Sequence, residues 1–264
     1  MQMADILRNI YGAALACAIL SGLMVLVALL GHRYGRWRQE SGRAPTEAFS
    51  VVGGAIFALF GLLIAFTFNG GYGRYEHRRS LIVEEACAVG TAYLRLDMLP
   101  AEAQGPAKEA LREYTRNRAE ILLKLPDADA RARHLAAGDD LQARVWRLAM
   151  EATSSPQYQP ARISLVPALT QMFDCATRRT AAAYEHPPPI VFMMLALLAL
   201  ACAWLIGHGA AKHDRLSIFY ATFFSLVVGF MVFVILDMEF PGVGMVNLSS
   251  ANQFLVGVHY SMGK

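Results

Sequence analysis

The sequence predicts an all-α protein with four membrane-spanning helices and a helical extramembrane domain between the second and third spans. Three observations lead there. Four runs, Ile10–Leu30, Ala48–Asn69, Pro189–Gly207 and Leu216–Leu236, contain no Asp, Glu, Lys or Arg, and about 20 helical residues at roughly 1.5 Å each cover the hydrocarbon core of a bilayer. In lipid each backbone amide must be paired within its own segment unless strands close into a barrel, and these runs lack the alternation of barrel strands. Of all residues 55% are hydrophobic and 17% charged, and the charged ones gather between the runs.

The first span, about 10–31, is too long for the apolar core of a signal peptide and lacks an A-x-A cleavage site. Cys17 has Ala14 where a lipoprotein signal expects Leu, so the run reads as an anchor. The second span, 48–69, completes a membrane hairpin over residues 1–69. Its Gly53, Gly54 and Gly61 suit close helix packing. It then passes without a loop into a Tyr- and Arg-rich helical segment that opens the extramembrane domain, 70–188. There Tyr75, Ile82, Ala86, Val89, Tyr93 and Leu96 recur at spacings of mostly three and four, while Arg79, Glu84, Glu85 and Arg95 take other faces. Pro100 ends this helix.

A second domain helix starts near Ala101 and carries Lys108, Glu109, Arg112, Glu113, Arg116 and Glu120, whose opposite charges three and four apart suit a solvated face. Pro126-Asp127-Ala128-Asp129 breaks the chain, and Asp139–Ala152 reads as a third helix. Ser154-Ser155-Pro156 begins a linker, and a fourth helix fits Ile163–Tyr184. His186-Pro187-Pro188-Pro189 stops helical hydrogen bonding before the second hairpin, 189–236, with spans at 189–207 and 216–236. The tail, 237–264, with Gly242, Gly244 and Ser249-Ser250, reads as irregular. No internal repeat or sheet-forming pattern interrupts this plan.

Composition excludes several function classes. Cys17, Cys87, Cys175 and Cys202 stand singly in apolar or helical settings, which reads as buried thiols without disulfides or zinc. The seven histidines form no metal-protease pattern, Gly70-Gly71-x-Gly73 lacks the strand a phosphate loop needs, and no nucleophile elbow is present, so neither an enzyme nor a cofactor is expected. His208 and His213 bracket a short turn and read as membrane-interface residues. A net charge of +3, spread along the chain, gives no nucleic-acid footprint. The spans carry no ionisable carboxylate or base near their midplanes, which disfavours a proton-coupled transporter.

The stretch Ile64–Glu102 resembles the bacterial bestrophins, in which Phe, Asn, Tyr, Arg and an aromatic occur at this spacing as the second span enters the cytosolic domain. The matching positions are Phe66, Asn69, Tyr72, Arg74 and Tyr75. Two more stretches are similar: His186-Pro-Pro-Pro-Ile-Val-Phe, and Asp237-Met-Glu-Phe-Pro-Gly followed by Asn247-Leu-Ser-Ser. The chain also resembles the broader bestrophin-like proteins of unknown function. The likeness covers residues 48–102 and 186–255, and the middle of the domain matches by architecture alone.

The resemblance implies a homo-oligomeric, pentameric ion channel whose second span surrounds an axial pore. It implies an apolar neck at Ala58, Leu62 and Phe66, one residue per turn, although Ala58 is small where the family tends to be bulky. A narrow ring of apolar side chains closes to ions by excluding water. Below the neck, Arg74, Arg78 and Arg79 would form basic rings in an inner vestibule, with Asn69, Tyr72 and Tyr75. Glu76, Glu84 and Glu85 partly cancel them, so the charges do not fix the selectivity; the resemblance takes in chloride- and cation-conducting members, and the reading leans weakly to anions such as chloride. The partners implied are copies of the same chain, membrane lipid and small inorganic ions.

Asp237 and Glu239 stand where animal bestrophins carry an acidic calcium cluster, but two carboxylates fall short of the six to eight oxygens calcium takes, so no metal site is expected. Arginines border the spans on both sides, so the positive-inside rule balances. The resemblance places the termini and central domain in the cytoplasm, at the bacterial plasma membrane. The alternative reading is a non-conducting membrane scaffold or sensor on the same fold.

Overall fold

The computed structural model describes residues 10–41, 47–121, 128–210, 214–240 and 245–263. Among these, helices dominate and no strand occurs. They are α1 (Ile10–Glu40), α2 (Glu47–Arg95), α3 (Ala101–Ile121), α4 (Ala128–Ala152), α5 (Gln159–Ala182), α6 (Pro189–Gly209), α7 (Asp214–Glu239) and α8 (Ser249–Ser261). Four of them, α1, α2, α6 and α7, are long and apolar enough to cross a membrane. The chain divides into two compact units, residues 1–73 with 186–244, and 74–185 with 245–264.

In the first unit the core draws Met24 and Ala28 from α1, Phe60 from α2, Leu195 and Ala199 from α6, and Val228 and Val232 from α7. Apolar matching alone cannot hold spans together in lipid, so close approach has to do it. Gly207 of α6 lies against the backbone of Ala28, where any Cβ would overlap the Ala28 carbonyl, and Gly31 of α1 lies somewhat less tightly on the Trp204 carbonyl, still too close for a Cβ. Gly229 of α7 leaves room for the Ser21 hydroxyl, which donates to the Ser225 carbonyl at 3.2 Å. The glycines singled out by sequence behave differently. Gly53 is buried beside Leu205, whereas a Cβ added to Gly54 or Gly61 would meet nothing within 4 Å among the described residues.

The second unit closes around Val89, Ala92 and Leu96, Leu111 and Tyr114 of α3, Ala149 of α4, and Leu165, Leu169 and Met172 of α5, with Leu255 of α8 on top. Several boundaries depart from the sequence reading. α1 runs through Arg33, Arg36 and Arg38 to Glu40 instead of ending at residue 31, because Arg and Gln are good helix formers once past the bilayer. α4 begins at Ala128, so the Ala128-Asp129 half of the supposed breaker is helical, while Pro126-Asp127 lies outside the described residues. α5 begins at Gln159, with Pro160 in its first turn, where a fixed φ and a missing N–H cost nothing.

The tail expected to be irregular forms α8. Asn247 accepts the Ser249 N–H at 3.1 Å, a turn that starts the helix, and Ala251, Leu255 and Met262 then face inward. Pro241, Gly242 and Gly244 lie outside the described residues, as does His213. Of the four cysteines, Cys17, Cys175 and Cys202 are buried as expected, but Cys87 is exposed.

Candidate functional site

α2 is 49 residues long, which at about 1.5 Å per residue is more than twice the hydrocarbon thickness of a bilayer. In the first unit it buries Gly53, Phe60, Thr67 and Gly71, a single stripe at helical spacing. The Thr67 hydroxyl sits in that stripe and is satisfied by donating to the Leu63 carbonyl at 2.6 Å. About half a turn away lie Ala58, Leu62, Phe66 and Asn69, all exposed, with Leu62 at 53% and Phe66 at 65%. The three positions expected to form a neck therefore share one unpacked apolar face, and Asn69 follows on it. Tyr72 is exposed beside them.

In the second unit the basic residues separate into different settings. Arg74 is half-buried. Tyr75 donates to the Asn247 carbonyl at 3.3 Å, which ties α2 to the start of α8. Arg78 is 6% exposed and caps the end of α5, donating from Nε to the Ala182 carbonyl at 3.0 Å and from Nη2 to the Glu185 carbonyl at 2.6 Å. Cations suit helix C-termini, where carbonyls lack partners. Arg79 is exposed and pairs with Glu76 at 3.4 Å. By sequence Arg74, Arg78 and Arg79 form one basic set, and the structure gives Arg78 a buried, structural position.

Glu85, expected among the solvated residues, is fully buried. It accepts from Arg118 Nε of α3 at 2.5 Å and from Arg179 Nη1 of α5 at 2.6 Å, while Arg118 Nη2 also reaches the Ala176 carbonyl at 3.2 Å. Burial opposes the charge on both guanidiniums. For Arg118 the Glu85 charge and hydrogen bond outweigh it and its pKa is raised, whereas for Arg179, whose Nη2 has no partner among the described residues, burial prevails and the pKa is lowered. Burial also pushes the neighbouring Tyr114 phenol up. The signal is present in the sequence, since Glu85 lies three after Ile82 and four before Val89 on the apolar repeat.

The solvated face expected on α3 is partly spent on partners in other elements: Lys108 bonds to Asp97 and Glu113 pairs with Arg144 of α4 at 2.7 Å. Asp237 and Glu239, in the first unit, are both buried, and Glu239 lies 3.2 Å from His186 Nδ1. Among the described residues no three His, Cys, Asp or Glu side chains converge as a metal shell. His208, expected at the interface, is buried at the end of α6 with its ring against Phe49 and Tyr34.

This architecture has clear counterparts. A point mutant of a bacterial bestrophin homologue from Klebsiella pneumoniae matches with a TM-score of 0.67 at 16% identity, covering 94% of this chain and 99% of its own. A second mutant of that homologue gives 0.66 at 17%, over 94% and 100%. A mutant described as a membrane protein gives 0.69 at 16%, over 94% and 98%. Identities this low establish the fold alone. No curated protein sequence matches the chain. The bestrophin-like domain profile, however, matches residues 15–252, nearly the whole length, and the chain belongs to the bestrophin-like family.

Proposed function

We propose that this protein is an ion channel, a pentamer of identical chains in which α2 of every copy faces a common axis. The observation that carries the reading is the unpacked face of α2. Ala58, Leu62 and Phe66 are exposed half a turn from the side on which the helix packs. An apolar face of this kind suits lipid equally well until Asn69, an exposed amide on the same face, which needs water or a polar partner. A neck that opens onto polar residues meets both conditions. Its apolar rings hold the path dry at rest, and ions cross when water enters.

Arg74 and Arg79, repeated around the axis, add positive charge beside the path, and Glu76, 18 residues after Ala58 and so on the neck's own face, offsets them, so the preference for chloride over cations is slight. Arg78 is buried against the end of α5, so its guanidinium is held by carbonyls there and is not presented to solvent. The remaining apolar faces of the spans meet lipid of a bacterial plasma membrane, with the helical domain and both termini on the cytoplasmic side. Purified protein in liposomes tests this: the wild type passes chloride, and Phe66→Ala, by widening the neck, raises the flux several-fold. No flux from either form contradicts the reading and favours a non-conducting scaffold.

A further inference from the structure

We infer that Glu84 and Arg178 set the charge preference of the path within the helical domain. The inference rests on α2 lining that path and adds the side chains that weigh the sign of an ion there. Glu84 follows Phe66 by 18 residues, about five turns, so both occupy the same angular position on α2, and Cys87 repeats the position of Asn69. Ser80, Glu84, Cys87 and Thr91 are all exposed along this stripe in the second unit.

Glu84 Oε2 lies 3.7 Å from Arg178 Nη1 of α5, with side chains 51% and 56% exposed. Arg178 Nη2 donates to Cys175 Sγ, one turn earlier on α5, at 3.2 Å. Glu84, Cys87, Thr91, Gln171, Cys175 and Arg178 line a groove of about 250 Å³. The groove opens to solvent and presents polar side chains, so water and a small hydrated ion reach the pair. So exposed a pair holds itself together weakly, and both fields reach the solvent in the groove. The two charges cancel only while both are present. Removing the Glu84 charge leaves a cation in every copy. Removing that of Arg178 leaves an anion, reinforced by Asp174, which lines the adjoining groove with Arg178.

Cys87 supplies a local probe, since it is exposed while Cys17, Cys175 and Cys202 are buried. In the full-length protein in detergent, the labelling rate of Cys87 is measured with trimethylammonioethyl and sulfonatoethyl methanethiosulfonates, which transfer their thioalkyl groups to the thiolate and release methanesulfinate. Cys87→Ser is the control for labelling elsewhere. A unit charge about 6 Å away in water favours one reagent and disfavours the other by roughly threefold each, while its effect on the thiolate fraction is common to both and cancels, so the cation-to-anion rate ratio changes by roughly tenfold. Glu84→Gln lowers that ratio and Arg178→Gln raises it, and the chloride-to-sodium flux ratio in liposomes rises in the first variant and falls in the second. Unchanged labelling ratios overturn the inference. Shifted labelling with an unchanged flux ratio also overturns it while leaving the channel reading intact, and a wild type that passes no ions removes both.

Discussion

Replacing Glu85 with Gln keeps the side chain's shape and removes its charge from between Arg118 and Arg179. In the native structure Glu85 accepts two short charge-assisted bonds, at 2.5 and 2.6 Å, and a longer one from Arg118 Nη2 at 3.4 Å, with no exposure to water. Each such bond contributes about 1.5–3 kcal/mol, and breaking a buried ion pair from one side costs about 3–5 kcal/mol, because the abandoned charge stays buried. Here two guanidiniums are abandoned, and they repel each other. Taking about 4 kcal/mol and roughly 3 °C per kcal/mol for a domain of this size, the apparent Tm falls by about 10 °C. The assay is the loss of the monodisperse peak on size-exclusion chromatography after heating in detergent, at one fixed scan rate because such unfolding is irreversible. Glu84→Gln changes the adjacent, half-exposed carboxylate and shifts the same midpoint by about 1–2 °C or less. Equal shifts in the two variants refute the idea that Glu85 clamps α2 to α3 and α5.

Gly207→Ala places a methyl group on the Ala28 carbonyl and forces α1 and α6 apart, so the yield of monodisperse protein collapses, whereas Gly61→Ala, with open space around it in the single chain, leaves folding intact; comparable yields from both contradict the packing described. Arg78→Gln strips two bonds from the end of α5 and destabilises by about 2–4 kcal/mol, while Arg79→Gln, at an exposed pair, changes stability by less than about 0.5 kcal/mol. Thermal midpoints of the two variants check this, and a reversed order contradicts the buried role of Arg78. Asn252→Ala loses the bond to the Ala119 carbonyl, 3.1 Å long and buried, and costs about 1–2 kcal/mol, again read from the thermal midpoint; an unchanged midpoint shows that α8 is not anchored there.

The four spans are legible because a run of about 20 uncharged apolar residues has few other uses. Which side of a span packs is not. Every residue of α2 between Val51 and Phe66 is apolar or glycine, so hydropathy cannot separate Phe60, which is buried, from Phe66, which is exposed. The neck positions follow from a family likeness and not from periodicity. Glu85 and Arg118 are hidden by a sound rule, that carboxylates and guanidiniums stay wet, which fails where each supplies the other's solvation. α8 is masked by the glycines and serines around it, although Leu255 and Met262 sit at the spacing of an inward face. Cys87 reads as buried because its neighbours are apolar, yet it lies on the same side as Glu84 and Thr91.

The claim on which the functional account turns is geometric: copies of the chain form a ring with the Ala58–Leu62–Phe66 face turned towards its axis. Single-particle imaging of the purified, membrane-extracted protein tests it most directly. The account predicts a closed ring of five chains with α2 innermost and Phe66 side chains nearest the axis. A lone chain, or a ring whose centre is formed by α1, α6 or α7, contradicts it.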